Sequence, residues 1–470
     1  MHLAGCYGWN IHGIDIENAY LEAGIDKDIY MYLPGDVYKR PDGKLQKVKL
    51  NLSLYGLKQA GELFYKKLKS VLEAHGYKQL ISDQCVFIKK NEETGQQSIV
   101  LLYVDDIIIT GDDELTSKQT IEYLASQFKK IKVTDEVSRY IGIDIIRDKS
   151  TRKLTLIQQQ YLEDYLDTLP VTPKLKNIPL STSLNYHLKG NNDIDPIYKD
   201  VGKFRYASDH TRPDTLYSAG LLGSAASNPH PNHIAGLKHF QGYLQNTKSR
   251  GLVLGGDTKI NLFGFSDAAC LPGGESQLAY CFYLGTDSGT ICARTTKDKT
   301  ISHHSTEAEI KALDAAVCCV IWLKEFLQEL GFPQGRVPIY VDSEPALILA
   351  NTYKVGHRSN HLLVRLNFIH QEIEKGNIQL IWINSHGNVA DMLTKPLSEP
   401  LFSKHEKTLM EGFSNMPIEA KRSVRAKSSA TPSEVRLNQK VENRREIQDT
   451  ANLIDEGGPL DVTFDRITYI

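Results

Sequence analysis

The stretch "LLYVDDIIITGDD", residues 101–113, limits the fold more than any other part of the chain. Asp105 and Asp106 split an apolar run that starts at Ile99 and resumes through Ile107, Ile108 and Ile109. An unpartnered charge in the middle of a buried strand is prohibitively costly. A hairpin removes the conflict: two apolar strands stay buried while a two-residue turn carries both carboxylates to its tip. A transmembrane helix is excluded, because no apolar run approaches the roughly 20 residues needed to span a bilayer.

The rest of the chain is read around that hairpin. "SLYGLKQAGELFYKKLKSVLEAHGY" (53–77) has Leu63, Phe64, Leu68, Val71 and Leu72 at helical spacing, ended by Gly76. "ELTSKQTIEYLASQFKKI" is a second amphipathic helix, "RYIGIDIIRDKSTRKLTLIQ" another hairpin, and "QQYLEDYLDTLPV" a helix stopped by Pro170. Residues 171–200 are rich in Pro, Asn, Ser and Asp and form a surface connection, with helical segments after them. From about residue 257 strands dominate, then helices and strands alternate, which predicts a separate α/β domain with a mixed sheet. Beyond residue 400 the composition turns polar, and the last stretch is expected to be disordered or loosely helical.

Composition excludes several classes. With 41% apolar and 24% charged residues this is an ordinary globular chain, and 470 residues allow about two to four domains. A net charge of -2 rules out a global basic field, although a local basic groove can hide in a neutral total. "YKKLK" (65–69) and "KHFQGYLQNTKSR" (238–250) are the candidates for one, each equally readable as a solvated helix face. Seven cysteines, an odd number without a C-x-x-C pair, predict reduced thiols. No basic leader followed by an apolar core begins the chain, so no secretory signal is expected.

Asp15, in "IDIENAY", ends a short apolar strand. Brought next to Asp105 and Asp106 it would complete a cluster of like charges that needs a cation, and an all-oxygen donor set suits Mg²⁺. Alone, an acidic dipeptide at a hairpin tip is also an ordinary solvated turn. The order "DIENAYL", "IYMYLP", "SLYGLKQA", "YVDD", followed by "YIGIDI", "QQQYLEDYL", "TRPD" and "H…YLQNT", resembles the Pol polyprotein of copia-type LTR retrotransposons, from about residue 10 to 400. The resemblance implies a reverse transcriptase palm in which Asp15, Asp105 and Asp106 hold two Mg²⁺ ions, or Mn²⁺ in their place. It implies a steric gate at Tyr20 against a ribose 2′-hydroxyl, and nucleotide or template contacts at Gly56, Lys58 and Gln59. Tyr20 also reads as a half-buried palm residue, and Lys58 as solvated surface.

A second acidic set follows: Asp267 in "GFSDA", Glu309 in "STEAEI", Asp342 in "YVDS" and Asp391 in "VADMLTKPL". Their order, with "HSTEAEI" and "ADMLTKPL", resembles the ribonuclease H of the same family. That implies two further divalent ions, which activate water against an RNA phosphate in an RNA–DNA hybrid. Glu309 is preferred to Glu307 for the family spacing. His386, five residues before Asp391, is a candidate for product release by analogy with a mobile histidine in many ribonuclease H enzymes, although the copia-type motif does not usually hold one there; His303, His304 and His361 are expected to be structural or surface residues.

The implied fold class is a multidomain α+β and α/β chain. A reverse transcriptase palm and thumb, an antiparallel sheet with helices, covers 1–170. A connection covers 171–256, a ribonuclease H-like α/β domain with a mixed sheet 257–400, and a disordered tail 401–470. Implied partners are an RNA template, a DNA primer, dNTPs and RNA–DNA hybrids, with retrotransposon integrase and capsid protein, and no membrane. The implied location is intracellular, in cytoplasmic virus-like particles and the nucleus. Departures are also visible. Only 14 residues precede Asp15, so the fingers that clamp the triphosphate are expected to be largely missing and polymerisation impaired. "QAGELFY" (59–65) lacks the family's Pro-Arg-x-Trp run, and Asn360 replaces a lysine. The alternatives are a longer polymerase starting upstream and an inactive relic that only binds hybrids.

Overall fold

The computed structural model describes residues 1–33, 42, 45–190, 193–256, 258–352 and 361–413. Met1–Gly412 form one compact unit, and a second unit begins at Phe413. Among the described residues no helix is long and apolar enough to cross a membrane.

A short helix, α1 (His2–Tyr7), leads into β1 (Ile11–Ile16), and β2 (Tyr30–Tyr32) and β3 (Lys47–Lys49) pair as a separate ribbon. Then come α2 (Ala60–Ala74), β4 (Lys78–Gln79), β5 (Val86–Lys90), β6 (Gln97–Tyr103), β7 (Asp106–Gly111), α3 (Glu114–Gln127) and β8 (Ile131–Thr134). Six of these strands form an antiparallel sheet in the order β4-β5-β6-β7-β1-β8. Phe64, Leu68 and Leu72 recur at four-residue spacing and so share one face of α2. That face joins the core made by Ile14, Ile16, Val100, Leu102, Ile107 and Ile109 of the sheet and Leu124 of α3. On the opposite face Ile11, Ile99 and Ile108 are buried as well. Burial on both faces is why β6 and β7 read as continuous apolar runs without alternation.

One detail of the hairpin differs from expectation. Tyr103 pairs with Asp106, so the turn is Val104–Asp105 and Asp106 is the first residue of β7. The ladder runs one residue further than the charge pattern indicated. Val104 consequently takes a left-handed φ of 59°, a conformation costly for a β-branched residue.

The next region contains β9 (Arg139–Tyr140), β10 (Ile143–Asp148), β11 (Lys153–Ile157), α4 (Gln159–Leu166), α5 (Tyr198–His210), α6 (Leu216–Ser224), α7 (Pro231–Thr247) and β12 (Leu252–Gly255). Its antiparallel sheet has the order β12-β11-β10-β9. The boundary expected at 170 therefore falls within the connectivity of one sheet, since β12, at the end of the connection, completes a surface begun by the hairpin at 143–157, while the boundary at 256 follows β12 directly. Helix α1 docks on the same sheet edge. A Cβ on Gly5 would lie 3.0 Å from the Gly255 Cα, and Gly255 itself has φ +92°, so this approach requires glycine. "TRPD" forms a polar knot beneath the helices. The fully buried Arg212 donates from Nε and Nη2 to the two Asp214 oxygens at 2.9 and 2.8 Å and from Nη1 to the Thr247 carbonyl at 3.0 Å, and the Tyr243 hydroxyl donates to Asp214 at 2.6 Å. A buried ion pair is tolerable only when its hydrogen bonds are satisfied in this way.

The last region holds β13 (Leu262–Cys270), β14 (Ser276–Leu284), β15 (Cys292–Asp298), α8 (Ser305–Glu329), β16 (Val337–Val341), α9 (Glu344–Asn351), α10 (Leu363–Glu374) and β17 (Ile378–Trp382). The order is β15-β14-β13-β16-β17, antiparallel through the first three strands and parallel from β13 to β16 and β17. This is the mixed α/β sheet expected from the sequence. Ile310, Leu313, Val317 and Val320 form the buried stripe of α8 against it.

The polar tail begins later than residue 401. Glu399–Glu411 is a helix, α11, with Phe402, His405, Leu409 and Met410 buried. It has a narrow apolar face, and its polar remainder disguises it as tail. Residues 414–470 and Asn360 lie outside the described residues.

Candidate active sites

Parallel pairing builds the more closed of two acidic sites. Phe265 on β13 stands opposite Tyr340 on β16, so two residues further on Asp267 and Asp342 lie side by side. Asp391 arrives from the short 3-10 segment Val389–Leu393 after β17. One oxygen from each of Asp267, Asp342 and Asp391 lies within 4.8 Å of the others. Glu309 enters from α8. Burial first, then the charges of Asp267 and Asp342, push its carboxyl up to about 9. Its Oε2 is buried and has no hydrogen-bond partner. Asp267, only 2% exposed, is pushed well above the ordinary carboxylate range by burial and then by Asp391, and Asp391 is itself raised, chiefly by burial.

Three neighbours hold these acids, and none of them was singled out from the sequence. The Asn388 amide donates to the Ser266 carbonyl at 3.1 Å and to Asp267 Oδ1 at 3.4 Å. The Thr394 hydroxyl donates to Asp267 Oδ2. Lys395 Nζ pairs with Asp391 Oδ1 at 2.6 Å. Thr394 and Lys395 were within reach in "ADMLTKPL", but nothing in that string says their side chains turn inward. An all-carboxylate donor set with one orphaned buried oxygen fits a hard divalent cation such as Mg²⁺ or Mn²⁺. Glu307 is occupied elsewhere, paired with Lys311 at 3.3 Å and His361 at 3.2 Å. His386 is exposed on the loop before Asp391, and its carbonyl accepts from Lys404 of α11 at 2.8 Å. His303 is exposed with its ring against His361, and His304 is exposed at the start of α8.

The other site is at the hairpin. Asp15 and Asp106 are direct partners across β1 and β7, and the Asp105 carbonyl accepts from the Ile16 amide at 3.2 Å. Alternation puts both side chains on the face away from α2, because Ile14, Ile16 and Ile107 face that helix. Burial, then Asp105 and Asp15, raise the Asp106 carboxyl. All three acids are half-buried. Among the described residues, the acids that converge closely enough to share one metal ion are Asp267, Asp342 and Asp391.

Tyr20 lies half-buried beside them, its ring 4.4 Å from that of Tyr55 and 6.3 Å from that of Phe64. Tyr55, inside "SLYGLKQA", was overlooked. Its hydroxyl is raised by burial and then by Asp105, Tyr20 and Asp15, which places it beside the acids. Gly56 follows with φ +98°, Lys58 is exposed, and Gln59 caps α2. Both basic stretches are largely engaged within the chain. Lys66, Lys67 and Lys69 pair with Glu62, Glu22 and Glu73, while Lys248 and Arg250 pair with Glu163 and Glu406.

Residues 1–181 match the family "Reverse transcriptase (RNA-dependent DNA polymerase)". The chain is 32% identical over 410 residues to the retrovirus-related Pol polyprotein from transposon TNT 1-94 of Nicotiana tabacum, covering 84% of this chain and 30% of that protein. It is 31% identical over 404 residues to the Pol polyprotein from transposon RE1 of Arabidopsis thaliana, covering 84% and 27%. It thus spans less than a third of either curated relative. Among solved structures it is similar to a foamy viral protease–reverse transcriptase in complex with double-stranded DNA, at 14% identity and a TM-score of 0.44, over 80% of this chain and 57% of that one.

Proposed function

Because the chain belongs to the Pol polyprotein family of copia-type LTR retrotransposons, we propose that it carries two nucleic-acid sites. The buried centre hydrolyses the RNA strand of RNA–DNA hybrids, and the hairpin site extends a DNA primer on an RNA or DNA template. The observation that carries this reading is the set of three aspartates with oxygens within 4.8 Å of one another, beside a buried Glu309 whose Oε2 has no hydrogen-bond partner and whose carboxyl is raised by burial and then by Asp267 and Asp342. Divalent ions held there would supply Lewis acidity at the scissile phosphate and a more acidic water. The chain does the positioning. Thr394 and Asn388 orient Asp267, the 3-10 segment delivers Asp391, and Asp342 stays half-buried at the mouth where substrate can reach it.

At the hairpin, Asp15, Asp105 and Asp106 would bind Mg²⁺ with the triphosphate. The Tyr20 ring, fixed against Tyr55 and Phe64, would lie under the sugar and reject a 2′-hydroxyl. Gly56, Lys58 and Gln59 follow Tyr55 and would line the nucleotide and template, and His386 would assist product release. Cleavage would be the stronger activity of this chain, since three of its acids are drawn within 4.8 Å of one another and are held by Asn388 and Thr394. The same reading implies work in cytoplasmic particles and then in the nucleus, beside integrase and capsid protein.

The test is a gel with Mg²⁺, dNTPs and a labelled DNA primer on a labelled RNA template. Shorter RNA is the expected result, with weak or absent primer extension. Extension blocked for ribonucleotides, and admitted by Tyr20→Ala, would support the gate. Both strands returning intact would replace this reading with that of a hybrid-binding relic.

A further inference from the structure

The buried centre contains a cation that its chemistry does not call for. Asp267, Asp342 and Asp391 converge there beside the buried Glu309, and Lys395 supplies an ammonium 2.6 Å from Asp391 Oδ1, close enough for Asp267 and Asp342 to act on its charge. The lysine is held one turn from its partner by the backbone, since the Lys395 amide donates to the Asp391 carbonyl at 3.3 Å. Its side chain is nonetheless 45% exposed, against 5% for Asp391. The head group therefore sits on a ligand oxygen while the stem has an open path outward. A lysine ammonium is a compact point charge on a flexible stem, suited to occupying a cation position and to leaving it. A divalent ion that takes Asp391 must share or remove this contact, and it meets a like charge on arrival.

We propose that Lys395 is a built-in counter-ion that competes with divalent ions for the Asp391 carboxylate. In the metal-free chain it offsets repulsion within the acid cluster. On metal uptake its head group leaves Asp391 for the solvent side, along the path its exposed stem leaves open. Lys395 is thus a positioning residue that weakens resting metal affinity and keeps the empty centre folded. This inference rests on the metal-binding reading above.

The test titrates Mn²⁺ into the full chain and follows the free-ion signal by electron paramagnetic resonance. Asp105→Asn and Asp106→Asn are present throughout, so that the hairpin acids do not contribute. Lys395→Met, which keeps the stem and removes the charge, is expected to tighten Mn²⁺ binding by at least about fivefold, the lower end of ordinary coupling between two ligands. Lys395→Arg should stay near the parent value. Without metal, Lys395→Met should melt earlier than the parent, and Mn²⁺ should raise its melting midpoint by more. Should Lys395→Met not fold, Lys395→Gln takes its place with the same expectations.

Unchanged or weaker Mn²⁺ binding in the neutral variant overturns the inference and leaves the metal site standing. So does an equal loss of melting midpoint with and without Mn²⁺, the result of a purely structural lysine. No Mn²⁺ binding by parent or variants overturns both the inference and the reading beneath it.

Discussion

The two acidic sites solve one electrostatic problem in opposite ways. At the hairpin, Asp15 and Asp106 face each other across an antiparallel ladder, half-buried, with solvent to moderate their repulsion. In the other, Asp267, Glu309 and Asp391 are buried together, and the chain supplies Lys395 and two neutral donors to hold them. An exposed site can wait for metal with its acids apart. A buried site cannot, because repulsion is screened less where water is excluded. Closure and an internal cation thus go with burial.

The sharpest way to break this comparison is a pair of single substitutions. Asp267→Asn is expected to lower hybrid cleavage by more than about 100-fold, beyond the 10–100-fold typical of groups that only support metal ligands. It should leave any primer extension intact, and Asp105→Asn should do the reverse. One gel carrying both labelled strands reads both activities, and a substitution that removed both would mean that the sites are not independent.

A smaller effect tests the supporting shell. Asn388→Ala removes a donor from Asp267 and from the Ser266 carbonyl. Mn²⁺ affinity at the buried centre should fall about 10–100-fold, measured by calorimetry with the hairpin acids neutralised. An unchanged affinity would mean that Asp267 is positioned without it.

A further difference concerns stability against pH. The Glu309 carboxyl, raised to about 9 in the folded chain from 4.5, binds a proton in the native state that the unfolded chain has released between those values. The contribution of Glu309 to stability without metal is therefore fully present below about 4.5 and declines as pH rises toward 9. Glu309→Gln should flatten that part of the profile, and so should saturating Mg²⁺. Thermal melts at a series of pH values read the slope, and an unchanged slope in the variant would assign the dependence to other groups, Glu406 among them, which is raised to about 7.

Much of the hairpin was legible in advance because its causes are local. Apolar runs either side of Asp105 and Asp106 admit few other structures, and the residue-level error, one position in the turn, came from the ladder extending through Asp106. The buried centre was legible only in part. Its acids were found through the resemblance of their surrounding strings. Asn388, Thr394 and Lys395 went unread, since a side chain's inward turn depends on the loop that carries it. The sheet that continues across residue 170 was not legible, because β12 pairs with β11 from the far side of a helical excursion. The tail was placed too early because α11 has only a narrow apolar face, read from the string as polar.

By itself the sequence determined most of the strands and helices, which carboxylates were available, and that the chain must reverse beside Asp105 and Asp106. Those outcomes follow from hydrophobic period and turn chemistry within a short window. Tertiary structure alone decided which acids would meet in a buried centre and which would remain apart in water. It also decided that Asn388 and Thr394 would reach Asp267 and that α11 would join the fold. These depend on the register of parallel strands and on loops returning from far along the chain, and no local pattern encodes where such segments land.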